Sequence, residues 1–322
     1  IVLSKSPESA SHSSTVAVSP SPSSNPTIAP AAAPKSLPPA TLKPPVKPRA
    51  TPVNPAQYTQ QQKAMNQEAK SRFFMTAGTV DSLIEMKVAI AEGQSSLTVG
   101  ASSNAAVLNQ NGKQLRQLSA NKLYTIQPNG SGISFGDWQL PGMVMVDPGI
   151  GQVFQIGDRI YRGRLLLAVD RGVLWGVNYV NLRQYLHSVV PNEVSPSWHM
   201  EALKAQAVAA RSYALTYYFK PINPLFHLGA TEYYQVYTGV GREADTTQKA
   251  VDMTAGEFVS YRGGIVESLY AASDDIVAEA FQGHGMSQLG ALDLAEKGYG
   301  YKQILGNYYP GTGVSRIEAD YN

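Results

Sequence analysis

The 322-residue chain contains no cysteine. That absence excludes structural disulfides, thiolate metal centres and a cysteine nucleophile together, and it fits any redox compartment. Net charge is also scarce: 26 basic side chains against 24 acidic ones leave a formal +2. Such a balance offers none of the basic field that draws a protein onto nucleic acid, so no nucleic-acid partner is expected. No apolar run approaches the ~20 residues needed to span a bilayer, and no membrane anchor is visible in the chain. It begins at Ile1 rather than Met, which fits a fragment whose signal peptide or anchor would lie upstream. The five histidines (His12, His187, His199, His227, His284) show no paired ligand spacing. No metal site and no cofactor are therefore expected.

Large apolar side chains are almost missing from residues 1–58, which instead hold 13 of the 21 prolines with abundant Ser and Ala. Such a segment cannot bury enough surface to offset its ordering entropy, so residues 1–70 are expected to be a disordered linker. Within residues 1–58 the charges after Glu8 are all basic (Lys35, Lys43, Lys47, Arg49), and the segment reads as a tether or a plain spacer. A polar, helix-compatible stretch from Thr59 to about Phe74 leads into the first ordered region.

Period-two alternation then takes over. Ile84, Met86, Val88 and Ile90 share one strand face, Leu97 and Val99 begin another strand after the Glu92-Gly93 turn, and further short strands continue to Ile156. Residues 71–160 are thus expected to be a β-rich subdomain. Tyr161–Leu167 reads as a strand opening a core domain over 161–322, with Val173–Val177 as its hairpin partner across Asp170-Arg171-Gly172. The fold class expected is α+β: a β-rich N-terminal subdomain plus a mixed α/β core around a buried Ala-rich helix.

That helix lies in VVPNEVSPSWHMEALKAQAVAARSYAL, Val189 to Leu215. Leu182, Tyr185, Leu186 and Val189 recur at helical spacing and deliver the chain to Glu193. Pro191 and Pro196 flank Glu193 and favour an extended or turned backbone there. Ser195 with Pro196, or Ser197 slightly later, is the expected N-cap of the next helix, and Glu201 lies in its first turn. From Ala202 to Phe219 the helix carries small and apolar residues on most sides, with Lys204 and Arg211 as its only charges. Seven residues apart, those two share a face that could look toward Glu193. A core helix with two snorkelling cations fits the same spacing.

Further on, Gly283 and Gly285 expose the surroundings of His284, and Ser287 is placed to cap a helix from Gln288 to Lys297 that Gly298 ends. His284 could orient a carboxylate or contact a sugar, or make a purely structural hydrogen bond.

Pro191-x-Glu193, Trp198 and EALKAQAVAAR form one nearly gapless match that resembles the SpoIID/LytB family, named for the stage II sporulation protein D and an amidase enhancer. GHGMSQLGALDLAEKGYGYKQILGNYYPGT (Gly283–Thr312), QVYTG (Gln235–Gly239) and Tyr270-Ala271-Ala272-Ser273 extend the likeness, which spans about Ile84 to Val314. The chain departs from the family pattern at Asp274 and Asp275, where glycines are usual, and in the short interval before Gly283. Arg183 stands where the family usually carries an acid, on a face expected to be solvated.

The resemblance implies an exported, extracytoplasmic protein acting on peptidoglycan. It implies a lytic transglycosylase that cleaves between N-acetylmuramic acid and N-acetylglucosamine in peptide-free glycan strands. Glu193 would be the single general acid and base, because attack by the sugar's own 6-hydroxyl needs no second carboxylate. Lys204 and Arg211 would hold the acid or the lactyl group. Gln235, Tyr237, Tyr270, Ser273, His284, Ser287 and Gln288 would contact or shape the glycan groove, with a buried core Tyr237 as the plain alternative. The other function implied is a non-catalytic peptidoglycan-binding enhancer of a cell-wall amidase, which would be its partner.

Overall fold

Alternating apolar residues do form strands from Glu85 onward, and among the described residues the strands make four sheets, the two largest sharing one core. The computed structural model describes residues 79–318; the expected disordered linker and the helix-compatible stretch near residues 59–74 lie outside them. A seven-stranded sheet runs in the order Leu228–Gly229, Glu85–Gln94, Val173–Asn181, Arg164–Asp170, Met143–Asp147, Ala106–Leu108 and Gln114–Gln117. A six-stranded sheet runs Arg159–Arg162, Val153–Ile156, Leu97–Ala101, Tyr124–Asn129, Gly132–Phe135 and Trp138–Leu140. The period of two sends Val144, Val146, Ile133 and Phe135 into the shared core while their neighbours point away. Glu85–Gln94 pairs with Val173–Asn181, so strands from both sides of residue 160 lie side by side.

The hairpin expected at Asp170-Arg171-Gly172 is present. Arg171 and Gly172 both take positive φ (51° and 80°), the geometry of a two-residue turn whose twist matches its strands. Arg262 and Gly263 repeat it, at 49° and 80°, between Glu257–Tyr261 and Gly264–Ile265.

Six α-helices follow among the described residues: α1 (Leu182–Glu193), α2 (Met200–Phe219), α3 (Asp245–Met253), α4 (Asp274–Phe281), α5 (Gln288–Glu296) and α6 (Tyr301–Tyr308). With the two sheets they make the fold α+β, and α2 is its hub. One side of α2 puts Leu203, Ala207, Ala210 and Ala214 into the main core. The other puts Ala202, Ala205, Val208 and Ala209 against Val259, Met286, Ala291 and Leu305. Short alanine side chains let neighbours close on it from both sides, and this packing fixes the helix more than its intrinsic propensity does.

Two local expectations need correction. Glu193 is not in an extended turn: α1 runs through Pro191 and ends on Glu193, and the amide of Val194 closes the last turn onto the carbonyl of Val190. Pro191 gives up one backbone donor, but Tyr185, Leu186, Val189 and Val190 bury the helix, and that tertiary packing outweighs the local preference. The cap of α2 is His199, whose Nδ1 accepts from the Glu201 amide at 3.3 Å, rather than Ser195 or Ser197. Those serines instead hydrogen-bond each other in the turn between the helices.

The short interval before Gly283 also has a structural role. Residues 274–281 form α4, capped by Ser273, and join two short strands, Tyr270–Ala271 and Met286–Ser287, that pair in parallel. A parallel pair needs a crossover, and here one short helix provides it. The arrangement sets Gln288 beside Ala272.

Candidate functional site

Glu193 ends α1 at the wall of a cleft of about 490 Å³. The cleft is lined by Pro191–Pro196, Trp198, Arg242, Ala272, Gln288 and Leu289, and Glu193 is the one acid among these residues. Its Oε1 accepts from the Val236 amide at 2.9 Å. Burial pushes the Glu193 carboxyl above its ordinary value, although the Val236 amide and the Gln288 and Tyr270 side chains favour its charged form.

A buried amide behind the cleft fixes how Tyr270 meets that carboxyl. Tyr185 donates to Gln235 Oε1 at 2.9 Å, while Gln235 Nε2 donates to the Ala210 carbonyl (3.1 Å) and to the Tyr270 oxygen (2.9 Å). A carbonyl can only accept, so the Ala210 bond sets the orientation of the amide. The Tyr270 oxygen is thereby an acceptor from Gln235, and its own proton is left for Glu193. Burial and the Glu193 charge both push the Tyr270 hydroxyl well above its ordinary value, keeping it a donor.

The two cations of α2 do not face Glu193. Arg211 is completely buried and forms an ion pair with Asp81 at 3.0 Å. Its remaining bonds go to Thr254 and to the carbonyls of Ala207, Val251 and Glu257. Lys204 pairs with Glu201 at 2.7 Å and lies over the Tyr301 ring. Glu201 in turn accepts from the Tyr301 amide, so this pair ties α2 to α6. A buried charge must find partners nearby, and both cations find theirs on neighbouring elements instead of in the cleft.

The other candidates divide in the same way. Tyr270 and Gln288 converge on Glu193, and Gln235 stands one shell behind it. Tyr237 is a core residue, 1% exposed, with its hydroxyl donating to Asn178 at 2.6 Å and its ring against Tyr161 and Tyr185. Ser273 caps α4, and Ser287, fully buried, caps α5 through the Gly290 amide at 3.0 Å. His284 is exposed in the loop after α4 and is not among the residues lining the cleft. Arg183 is not free in solvent: it makes a two-pronged pair with Asp252, both contacts 2.6 Å. Burial alone would raise the Asp252 carboxyl, but the bonds from His187 and Arg183 hold it well below the usual range.

Asn192, Trp198, Arg242 and Leu289 line the cleft without having been singled out in sequence. Trp198, Asn192 and Leu289 fall within the motif stretches, and Arg242 falls in none of them. Asn192 accepts from Thr238, and Ser188 donates to the Gly239 carbonyl, tying the end of α1 to the loop that carries Arg242. Gly239 has φ 79°, and a side chain there would overlap the Ile160 carbonyl. No three His, Asp or Glu residues converge to hold a metal ion among the described residues.

Residues 170–261, which include Glu193, Val236 and Arg242, match the model of the SpoIID family, stage II sporulation protein. Over this segment the chain is similar to the SpoIID family. Tyr270 and Gln288 lie beyond the matched segment. An uncharacterized protein of Brachyspira hyodysenteriae (strain ATCC 49526 / WA1) is 40% identical over 120 residues, 37% of this chain and 33% of that protein. The amidase enhancer of Bacillus subtilis (strain 168) is 38% identical over 95 residues, 30% of this chain and 12% of that protein. The chain thus aligns with about a third and about an eighth of the length of these two relatives.

Proposed function

We propose that this chain is an extracytoplasmic, cell-wall-active lytic transglycosylase that cleaves peptide-free glycan strands between N-acetylmuramic acid and N-acetylglucosamine. The observation that carries this reading is a carboxyl of raised pKa in an open cleft that holds no second acid among the described residues. Hydrolases that activate water or form a glycosyl-enzyme use two carboxylates. A single acid suits a reaction in which the sugar supplies its own nucleophile.

In that reaction Glu193 gives its proton to the glycosidic oxygen as the C1–O bond breaks and the leaving sugar departs as an alcohol. The resulting carboxylate then takes the proton of the 6-hydroxyl, whose oxygen bonds to C1 and closes a 1,6-anhydro ring. Glu193 ends protonated again and no water is consumed. An acid held above its ordinary pKa is suited to the first step, and the intramolecular attack gains from proximity. Trp198 and Leu289 give the cleft an apolar wall on which a sugar ring can rest. Purified protein incubated with denuded glycan strands is expected to release anhydro-ended fragments, and Glu193→Gln to release none. Equal anhydro product from both proteins would overturn the assignment.

The name of the B. subtilis relative favours a second reading, in which the cleft binds glycan without cutting it and the chain enhances a cell-wall amidase. Strands bound but left intact by the wild type would favour that role.

A further inference from the structure

The cleft contains one cation, Arg242, and nothing among the described residues neutralises it. Arg162, Arg183, Lys204 and Arg211 each have a carboxylate partner within 3.0 Å. Arg242, by contrast, is exposed at the end of the 3-10 turn Gly239–Arg242, with no ion pair or side-chain hydrogen bond to a described residue.

Its backbone is nevertheless held on both sides. Glu243 makes a two-pronged bond with Arg162 at 2.9 and 2.7 Å, and Gly239 is fixed by Ser188 and by contact with Ile160. The backbone that carries Arg242 is therefore held at a set place on the wall, and its guanidinium has no partner among the described residues. Arg242 and Glu193 line the same cleft.

From this arrangement we infer that Arg242 is a specificity-determining residue, which reads a free carboxylate on a glycan whose scissile bond lies at Glu193. The inference rests on the cleft being a glycan site. A planar guanidinium matches a carboxylate with two parallel bonds, and such charge-assisted pairs discriminate strongly against a neutral isostere. The lactyl group of a peptide-free muramic acid ends in such a carboxylate. Where a peptide is attached, the same group is an uncharged amide. Arg242 would thus distinguish stripped from peptide-bearing sugars.

The test measures binding to the Glu193→Gln protein, with Arg242 intact or replaced by Gln, by calorimetry. The probes are denuded glycan oligomers of one length and the same oligomers with their lactyl carboxylates converted to methyl amides. With Arg242 intact the carboxylate form is expected to bind about tenfold tighter. Arg242→Gln should abolish that preference, so that the two forms bind equally, and Arg242→Lys should restore part of it. Unchanged circular dichroism and melting temperature would show that the fold is intact. A preference that survives Arg242→Gln, no preference with Arg242 present, or no binding of either oligomer would overturn the proposal. If the wild type leaves strands uncut while the carboxylate preference holds, the catalytic reading falls and this one stands.

Discussion

At the scale of single residues, Glu193 should cost the fold stability whenever it is ionised. Its folded pKa lies above the unfolded value of 4.5, so the native state binds the proton more tightly. Stability is therefore lost as pH rises through that window, and the loss is complete above the folded pKa. Glu193→Gln removes the penalty and keeps an oxygen for the Val236 amide. Thermal melts should show the variant as stable as the wild type or more so at pH 7, with the difference gone below about pH 4.5; a variant less stable at neutral pH would contradict this. Tyr270→Phe removes a donor to the charged carboxyl and should move the alkaline limb of the pH-rate profile upward. Glu193 and its neighbours Tyr270 and Gln288 were legible in the sequence through the family motifs. Arg242 was not, because a lone arginine in Gly-Arg-Glu has no spacing that tells a cleft from open solvent. Tyr237 stayed open between groove and core in the sequence, because a tyrosine's amphipathic ring suits both equally well.

At the scale of elements, α2 is held in place by the Arg211–Asp81 pair, whose members are 130 residues apart in sequence. Arg211→Met leaves Asp81 buried and uncompensated, and should lower stability in urea unfolding by about 3–5 kcal/mol. Asp81→Asn added to Arg211→Met should recover part of that loss. The burial of α2 was legible, since its small residues leave no polar face. The direction of its two cations was not, because helical spacing fixes a shared face but cannot say which distant carboxylate meets it. Similarly, the proline rule marked Pro191 as a break, whereas the apolar positions of α1 decided that the helix continues. The strand Leu228–Gly229 depends on His227, whose Nδ1 accepts from the Lys87 amide at 3.2 Å. Burial, with Lys87 nearby, lowers the His227 pKa from 6.5 to about 4. Protonation therefore favours the unfolded state, and the stability this neutral histidine contributes is present above pH 6.5 and lost as pH falls toward about 4. His227→Asn keeps an acceptor and should gain on the wild type by up to about 3 kcal/mol across that interval, read by chemical denaturation at successive pH values.

At the scale of the molecule, two sheets and a helical layer around α2 bring four stretches of sequence to one cleft: the end of α1, the loop 235–242, Ala272 and the start of α5. The α+β class was legible from the change of apolar period along the chain. That strands on either side of residue 160 would lie side by side was not, since register between distant strands leaves no local trace. Among the described residues the wall of that cleft carries one acid, one cation without an ion-pair partner, and the apolar Trp198 and Leu289. Cleavage of denuded strands in heavy-oxygen water tests this reading most directly. Intramolecular attack leaves the new anhydro ends free of the label by mass spectrometry, whereas reducing ends that carry the heavy oxygen would mean that water is the nucleophile and would contradict the single-acid mechanism.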